Sequence, residues 1–435
     1  MKHKFKLQLY TFLVLFAWCG QAFSQITFTS PPPVSPRNFG LLTDEPAAGS
    51  YATGLGQAVT AIIGGADAIY YNPAGLANSK KATEITFTIG GHYGLSEYNI
   101  QNQKSFTYLQ DRAAFKTYAD QFAMFFPLHL GPDRQVTMGF GFGYRKISPD
   151  FEYGDTQKDS TFSTKYTYKG TGSPSISSFG FGIKSFNGFA FGFSYNQIAG
   201  SFKGTTTVES TIGGVTSEYN SITSLSNVTA YSGSYWEFGT QIQPHQLVSL
   251  GLKIRLPHDQ KQVNDDNNSQ SRILAIPYTY SAGLAIHINE KTKVMLDYKN
   301  EDWSKVKERG INDDKDIGKT DSLAKMAHYA SIGLHAGVGI FAYRFRQNPY
   351  NDADNKSIYT HALSFGFITK SHSKFHMAAS IEYTPEYAQK IDGVIRVPKN
   401  PASPTSIDFK ASQFAFLVKM GCTIGFKSRK YGSSY

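Results

Sequence analysis

The stretch Gln413-Phe414-Ala415-Phe416-Leu417-Val418-Lys419-Met420-Gly421-Cys422-Thr423-Ile424-Gly425-Phe426 decides how this chain is read. Phe414, Phe416, Val418, Met420, Cys422, Ile424 and Phe426 share one parity. The other parity is mainly small or polar and includes Lys419, Gly421, Thr423 and Gly425. Successive side chains of a strand point to opposite faces, so one face here is apolar throughout. Lys419 opposite that face excludes a strand buried on both sides.

A sandwich strand in a soluble protein alternates too, so repetition carries the argument. Val136, Met138, Phe140, Phe142 and Tyr144 alternate with Thr137, Gly139, Gly141, Gly143 and Arg145. The same pattern runs through Phe189–Tyr195, Val248–Leu256, Tyr278–Ile286 and Phe375–Tyr383. Each run is about ten residues, the length of a tilted membrane-spanning strand. Strands are expected near 83–92, 121–130, 135–146, 176–186, 188–197, 234–243, 246–256, 277–288, 292–300, 329–336, 338–346, 360–370, 374–384 and 412–426.

The connections between these strands alternate in length. Short ones fall at Gly131–Arg134, Asn187, Pro244–His245, Asn289–Lys291, Gly337 and Ser371–Ser373. Long ones span Ile147–Ser175, Ile198–Gly233, Pro257–Ile276, Glu301–His328 and Pro385–Ala411. Outer-membrane barrels have short periplasmic turns and long external loops, and an even strand number leaves both ends in the periplasm. The expected fold is all-β: a 14-stranded antiparallel transmembrane barrel, residues 83–426, followed by a basic periplasmic tail, 427–435.

Composition agrees with a barrel bearing aromatic girdles: 27 Tyr, 33 Phe and 40 Gly, but only 3 Trp. The net charge is +10, and removing Lys2, Lys4 and Lys6 with a cleaved leader leaves +7. Those charges form no basic stripe, which argues against nucleic acid as a partner. Lys2, Lys4 and Lys6 precede the apolar run Leu7–Trp18, and Ala22 and Ser24 precede Gln25. That is a signal-peptide pattern over 1–24, cleaved before Gln25. Trp18 before Cys19 argues against a lipid anchor. Cys422 is then the single thiol, so no intramolecular disulfide or thiolate cluster is expected.

Residues 25–82 precede the first strand and do not alternate. They open on the proline-rich Pro31–Pro36 and continue through small residues such as Ala47, Ala48, Gly54 and Gly56. Fourteen strands enclose more space than side chains alone fill, so this segment is expected to fold back as an N-terminal hatch in the lumen. It contains Gly65-Ala66-Asp67-Ala68-Ile69-Tyr70-Tyr71-Asn72-Pro73-Ala74-Gly75-Leu76-Ala77. Pro73 fixes its own φ and biases Asn72 away from helix, Asn72 can bond nearby backbone, and Gly75 tolerates a tight turn. A purely structural turn is the bland reading of these residues.

The run resembles the hatch signature of the FadL/TodX family of long-chain fatty-acid and aromatic-hydrocarbon channels. Asp67, Ala68, Tyr71, Asn72, Pro73, Ala74, Gly75 and Leu76 match the D-A-x-x-x-[FYW]-x-N-P-A-G-L pattern. Leu252–Pro257 and Asp297–Trp303 look like weaker echoes of the same family. The resemblance implies an outer-membrane channel for passive uptake of a hydrophobic small molecule, with Asp67, Tyr71, Asn72, Pro73, Ala74 and Gly75 as the gating motif. It also implies a lateral exit near a kinked third strand, which here ends near Ser148-Pro149. Partners would be the hydrophobic ligand and outer-membrane lipid.

Arg145, Lys253, Arg255 and Lys419 stand on the inward parity and are candidates for holding a carboxylate head group. Solvated lumen charges are the plainer reading, because polar interiors are normal in such barrels. The alternative function is a PorV/PorQ-like scaffold that binds envelope or secretion-system proteins. An enzyme is disfavoured: His287, His335 and His376 lie on inward parity without a serine nucleophile context. No cofactor or metal is expected, and Asp313, Asp314 and Asp316 read as a solvated loop tip.

Overall fold

The computed structural model describes residues 47–78, 83–101, 116–130, 136–147, 151–158, 162–185, 188–212, 219–264, 271–310, 316–319, 326–351, 357–369, 375–395 and 405–426. The first strands are β1 (Thr83–Gln101), β2 (Lys116–Leu130) and β3 (Val136–Lys146). A hairpin of β4 (Phe151–Lys158) and β5 (Phe162–Thr171) follows, then β6 (Ser175–Lys184), β7 (Phe189–Ile212) and β8 (Tyr219–His245). Next come β9 (Val248–Arg255), β10 (His258–Asn264), β11 (Arg272–Ile276), β12 (Thr279–Asn289) and β13 (Thr292–Asp302). The chain continues through β14 (Lys307–Gly310), β15 (Asp316–Lys319), β16 (Met326–Ala336) and β17 (Gly339–Asn351). It ends with β18 (Ser357–Thr369), β19 (Phe375–Ile395) and β20 (Thr405–Phe426).

Fourteen of these segments form the wall of one closed antiparallel barrel: β1–β3, β6–β9, β12, β13 and β16–β20. Closure is made by the last strand against the first, from Thr83↔Phe426 to Gln101↔Asp408. The alternating stretch around Lys419 is therefore the seam that removes both sheet edges. Each wall strand contains or overlaps one of the expected positions.

Outward positions carry the apolar parity. Phe87, Phe126, Phe140, Phe179, Phe191, Leu252, Leu296, Ile332, Phe365 and Phe426 are all exposed. A soluble monomer rarely exposes a contiguous apolar patch larger than a few hundred Å², so a belt circling the wall marks a lipid-facing surface. The other parity faces inward: Gly143, Arg145, Gly192, Ser194, Lys419 and Gly421 are buried.

The short connections lie where the sequence places them for β12–β13 and β16–β17, the latter turning at Gly337 with φ +64°, whereas Pro244 and His245 still belong to β8 and the β8–β9 turn falls at Gln246 and Leu247. Asn187, Gly131–Arg134 and Ser371–Ser373 lie outside the described residues. The long connections differ from expectation, because several are strand rather than loop. β7 and β8 stay paired out to Ile212↔Tyr219, and β19 and β20 out to Ile395↔Thr405. The segments expected as loops after β3, β9 and β13 hold β4–β5, β10–β11 and β14–β15. Beyond the lipid a strand needs no apolar face, so its pairing leaves no alternation in the sequence. β3 pairs without a register break to both β2 and β6, so no kink opens the described part of the third strand. Ser148 and Pro149 lie outside the described residues.

Candidate functional site: the segment inside the barrel

Residues 47–78 form the short helices Ser50–Gly54 and Ala68–Tyr71 and a 3₁₀ helix Pro73–Asn78. Pro73 opens the last of these, where its missing N–H costs nothing, and Asn72 before it is extended at φ −158°. The apolar residues Leu55, Val59, Ile63, Ile69 and Leu76 of this segment are buried in one cluster with Phe125, Met295 and Ile340 of the wall.

The segment touches the wall all the way round. Ala66 N–H donates to Glu84 Oε2 of β1 at 3.1 Å, and Gln121 Nε2 of β2 donates to Asp67 Oδ1 at 2.9 Å. Leu76 lies over Gly141 and Gly180, Pro73 over Gly192, Thr60 over Gly251, and Leu55 over Gly333. Gly54 meets Ser380 of β19, and Lys419 of β20 donates to Ala47 O. Only a chain inside the ring can meet strands on every side of it. The inward glycines do not widen an open lumen; a β-carbon at Gly139, Gly192, Gly239 or Gly251 would overlap backbone or side-chain atoms of this segment.

The Asn72-Pro73-Ala74 turn is bonded to itself and to the wall. Asn72 Oδ1 accepts Ala74 N–H at 3.2 Å, and Asn72 O accepts Gly75 N–H at 2.9 Å. Its amide nitrogen donates to Thr60 O at 2.9 Å and to Thr240 O at 3.1 Å. Tyr71 OH donates to Ala48 O at 2.8 Å, and Gly65 N–H reaches Gly75 O at 3.3 Å. Every one of the six motif residues thus belongs to one interlocked unit.

Wall residues that sequence reasoning missed hold the unit from outside. Asp297 Oδ2 of β13 accepts the backbone N–H groups of Val59 at 3.0 Å and Thr60 at 2.8 Å. Gln241 Nε2 donates to Thr60 O and Ile63 O, both at 3.0 Å. Asp120 Oδ2 accepts Gly49 N–H at 3.2 Å. Asp297 opens the weaker echo at Asp297–Trp303, which is the sequence signal that could have found it.

The four candidate cations separate into two places. Arg145, Lys253 and Arg255 border a small cavity of about 80 Å³ beside Tyr70 and Tyr71, joined there by Lys299 and Arg344. Lys253 and Arg255 both reach Glu237 Oε1 at 3.0 Å, and Arg255 stacks over Tyr235 at 4.5 Å. Arg145 lies 5.6 Å from the Tyr70 ring. Lys419 lies apart, fully buried, with Asp120 Oδ1 at 2.7 Å. Lys299, Arg344 and Glu237 were legible as inward parity on β13, β17 and β8 but were not singled out.

His287, His335 and His376 stand on three separate strands, β12, β16 and β19. His287 Nε2 is 2.8 Å from Ser249 Oγ, whereas His335 meets Tyr51 OH at 3.4 Å on another strand. Among the described residues no group of three or more acidic, His or Cys side chains could hold a metal ion. Asp313 and Asp314 lie outside the described residues.

No protein-family model matches the sequence, and no curated protein matches it. Solved structures do. The crystal structure of the P. putida toluene transporter TodX matches with a TM-score of 0.58 at 12% identity, covering 89% of this chain and 100% of that one. A Pseudomonas aeruginosa FadL homologue matches with a TM-score of 0.56 at 12% identity, covering 88% of this chain and 99% of that one. The closed fourteen-stranded barrel with its lipid-facing belt is therefore the fold of the FadL/TodX channels.

Proposed function

We propose that this chain is an outer-membrane channel for passive uptake of hydrophobic small molecules, with both ends of the barrel sequence in the periplasm. Residues 25–82 act as its hatch, and the Asn72-Pro73-Ala74 turn is the part that must shift. One observation carries the reading: a buried segment meets the wall on every side among the described residues, with a cavity of about 80 Å³ beside it, so passage requires that segment to move. The likeness in fold to channels of this kind supports it.

The cations at the cavity favour a ligand with an anionic head, a long-chain fatty acid over an aromatic hydrocarbon. Arg145, Lys253, Arg255, Lys299 and Arg344 border it; Glu237, Glu301 and Glu382 pair with four of these cations from behind, and Asp297 is the acid in the cavity lining itself. Arginine suits this role because its planar fork matches a carboxylate.

Uptake of radiolabelled oleate and toluene by cells with and without the chain tests the proposal. Oleate uptake should depend on the chain and rise linearly with its external concentration before saturating. Unchanged uptake of both, with stable co-purification of secreted proteins, would replace transport by the scaffold reading.

A further inference from the structure

Two concavities meet at one place in the wall. On the outward side, strands from β8 to β17 form an apolar groove of about 720 Å³, within the range of small-molecule sites. Its sides are the exposed Leu250, Leu252, Leu296 and Ile332, and its floor drops where Ala282 and Ala330 stand in place of large outward residues. Asp297↔Ser331 and Tyr298↔Ala330 are cross-strand pairs of β13 and β16. The same four residues border the lumen cavity on the other face, so one sheet thickness separates the two spaces.

Besides Thr240, which pairs with Leu252, the polar side chains on the outward face of the groove gather toward one end. Tyr298 OH lies 2.6 Å from His328 Nδ1, and Tyr343 OH lies 2.6 Å from His361 Nδ1. Asn300 Nδ2 donates to Tyr298 OH at 3.4 Å. All of these side chains are outward, at the end of the barrel where the strands extend. Toward the short turns the lining is Ile242, Leu250 and Leu284, with Thr240 next to them. Tyrosines with an apolar body and a polar tip belong at a membrane–water interface. The groove opens into the lipid-facing belt, so its occupant comes from the membrane and matches an apolar length with one polar head.

We infer that this groove is a docking site for a single-chain amphiphile of the membrane. Its alkyl chain lies along Leu252, Leu296 and Ile332, and its head reaches Tyr298, His328, Tyr343 and His361. The site does not depend on the transport reading, since an amphiphile can dock there without entering the lumen.

The test uses the full chain in phosphatidylcholine nanodiscs and a palmitic acid analogue with a diazirine near its chain end. After photolysis, labelled peptides are mapped by mass spectrometry. Labelling should concentrate on β9, β12 and β16, and the double variant A282L/A330L should reduce it there by about tenfold. Both positions face lipid, so larger apolar side chains leave the wall intact. Labelling spread evenly to Phe87, Phe140 and Leu363, or undiminished in the variant, would overturn the site and leave ordinary boundary lipid. Labelling confined to residues 47–78 would also overturn it while favouring passage through the lumen. A diazirine alkane without the carboxyl should label the groove more weakly; equal labelling, unaffected by H328A/H361A, would refute the head-group contact.

Discussion

Asn72 Oδ1 occupies the space a β-carbon would need at Gly239, so the motif turn and the β8 wall fit only because position 239 has no side chain. The first prediction concerns that fit. Gly239→Val should displace the Asn72-Pro73 turn at a cost of about 1–3 kcal/mol, the usual range for overpacking. The barrel should still form, judged by heat-modifiable migration in gels, while planar-bilayer conductance rises. Unchanged conductance in a folded barrel would show that this turn does not seal the lumen.

Asp297 supplies the second. Asp297→Ala leaves the buried N–H groups of Val59 and Thr60 without their acceptor, each worth about 1–3 kcal/mol when unsatisfied. Hydrogen exchange at those two amides should accelerate well before exchange in the wall strands. Equal acceleration throughout would mean that Asp297 supports the barrel rather than the segment.

Lys419 and Asp120 make a fully buried pair at the start of the segment. Removing one partner of such a pair costs about 3–5 kcal/mol, because the remaining charge stays buried and uncompensated. Lys419→Met should therefore lower the unfolding temperature sharply. Lys419→Met with Asp120→Asn should recover much of the loss, since the neutral amide can still accept the Gly49 N–H. No recovery in the double variant would shift the importance to the Lys419 bond with Ala47 O.

The cation-lined cavity yields a prediction about selectivity. Arg145→Gln with Arg344→Gln should weaken oleate binding by about tenfold or more, given that a charged hydrogen bond contributes about 1.5–3 kcal/mol. Toluene binding, measured by the same calorimetry, should change little. Equal losses for both ligands would mean that the arginines shape the cavity and do not read a head group.

Much of the wall is legible from local pattern, and the reason is the medium. Lipid demands an apolar residue at every second position, so Val136–Tyr144 and Phe414–Phe426 announce their strands without knowledge of their partners. The extensions of β7–β8 and β19–β20 are invisible by the same logic, since water places no such demand on them. The motif residues Asp67 to Gly75 also stood out, because Pro73 restricts the backbone and Gly75 frees it in ways a sequence displays.

By itself, the chain's alternation determined the strand number and the outward face. Only the tertiary structure decided that Gly239 receives Asn72, that Asp297 holds Val59 and Thr60, and that Lys253 and Arg255 share Glu237. Alternation tells which side of the sheet a residue faces, but strand tilt and register set its height and its neighbours. Those depend on pairing between residues far apart in sequence, and no local pattern encodes them.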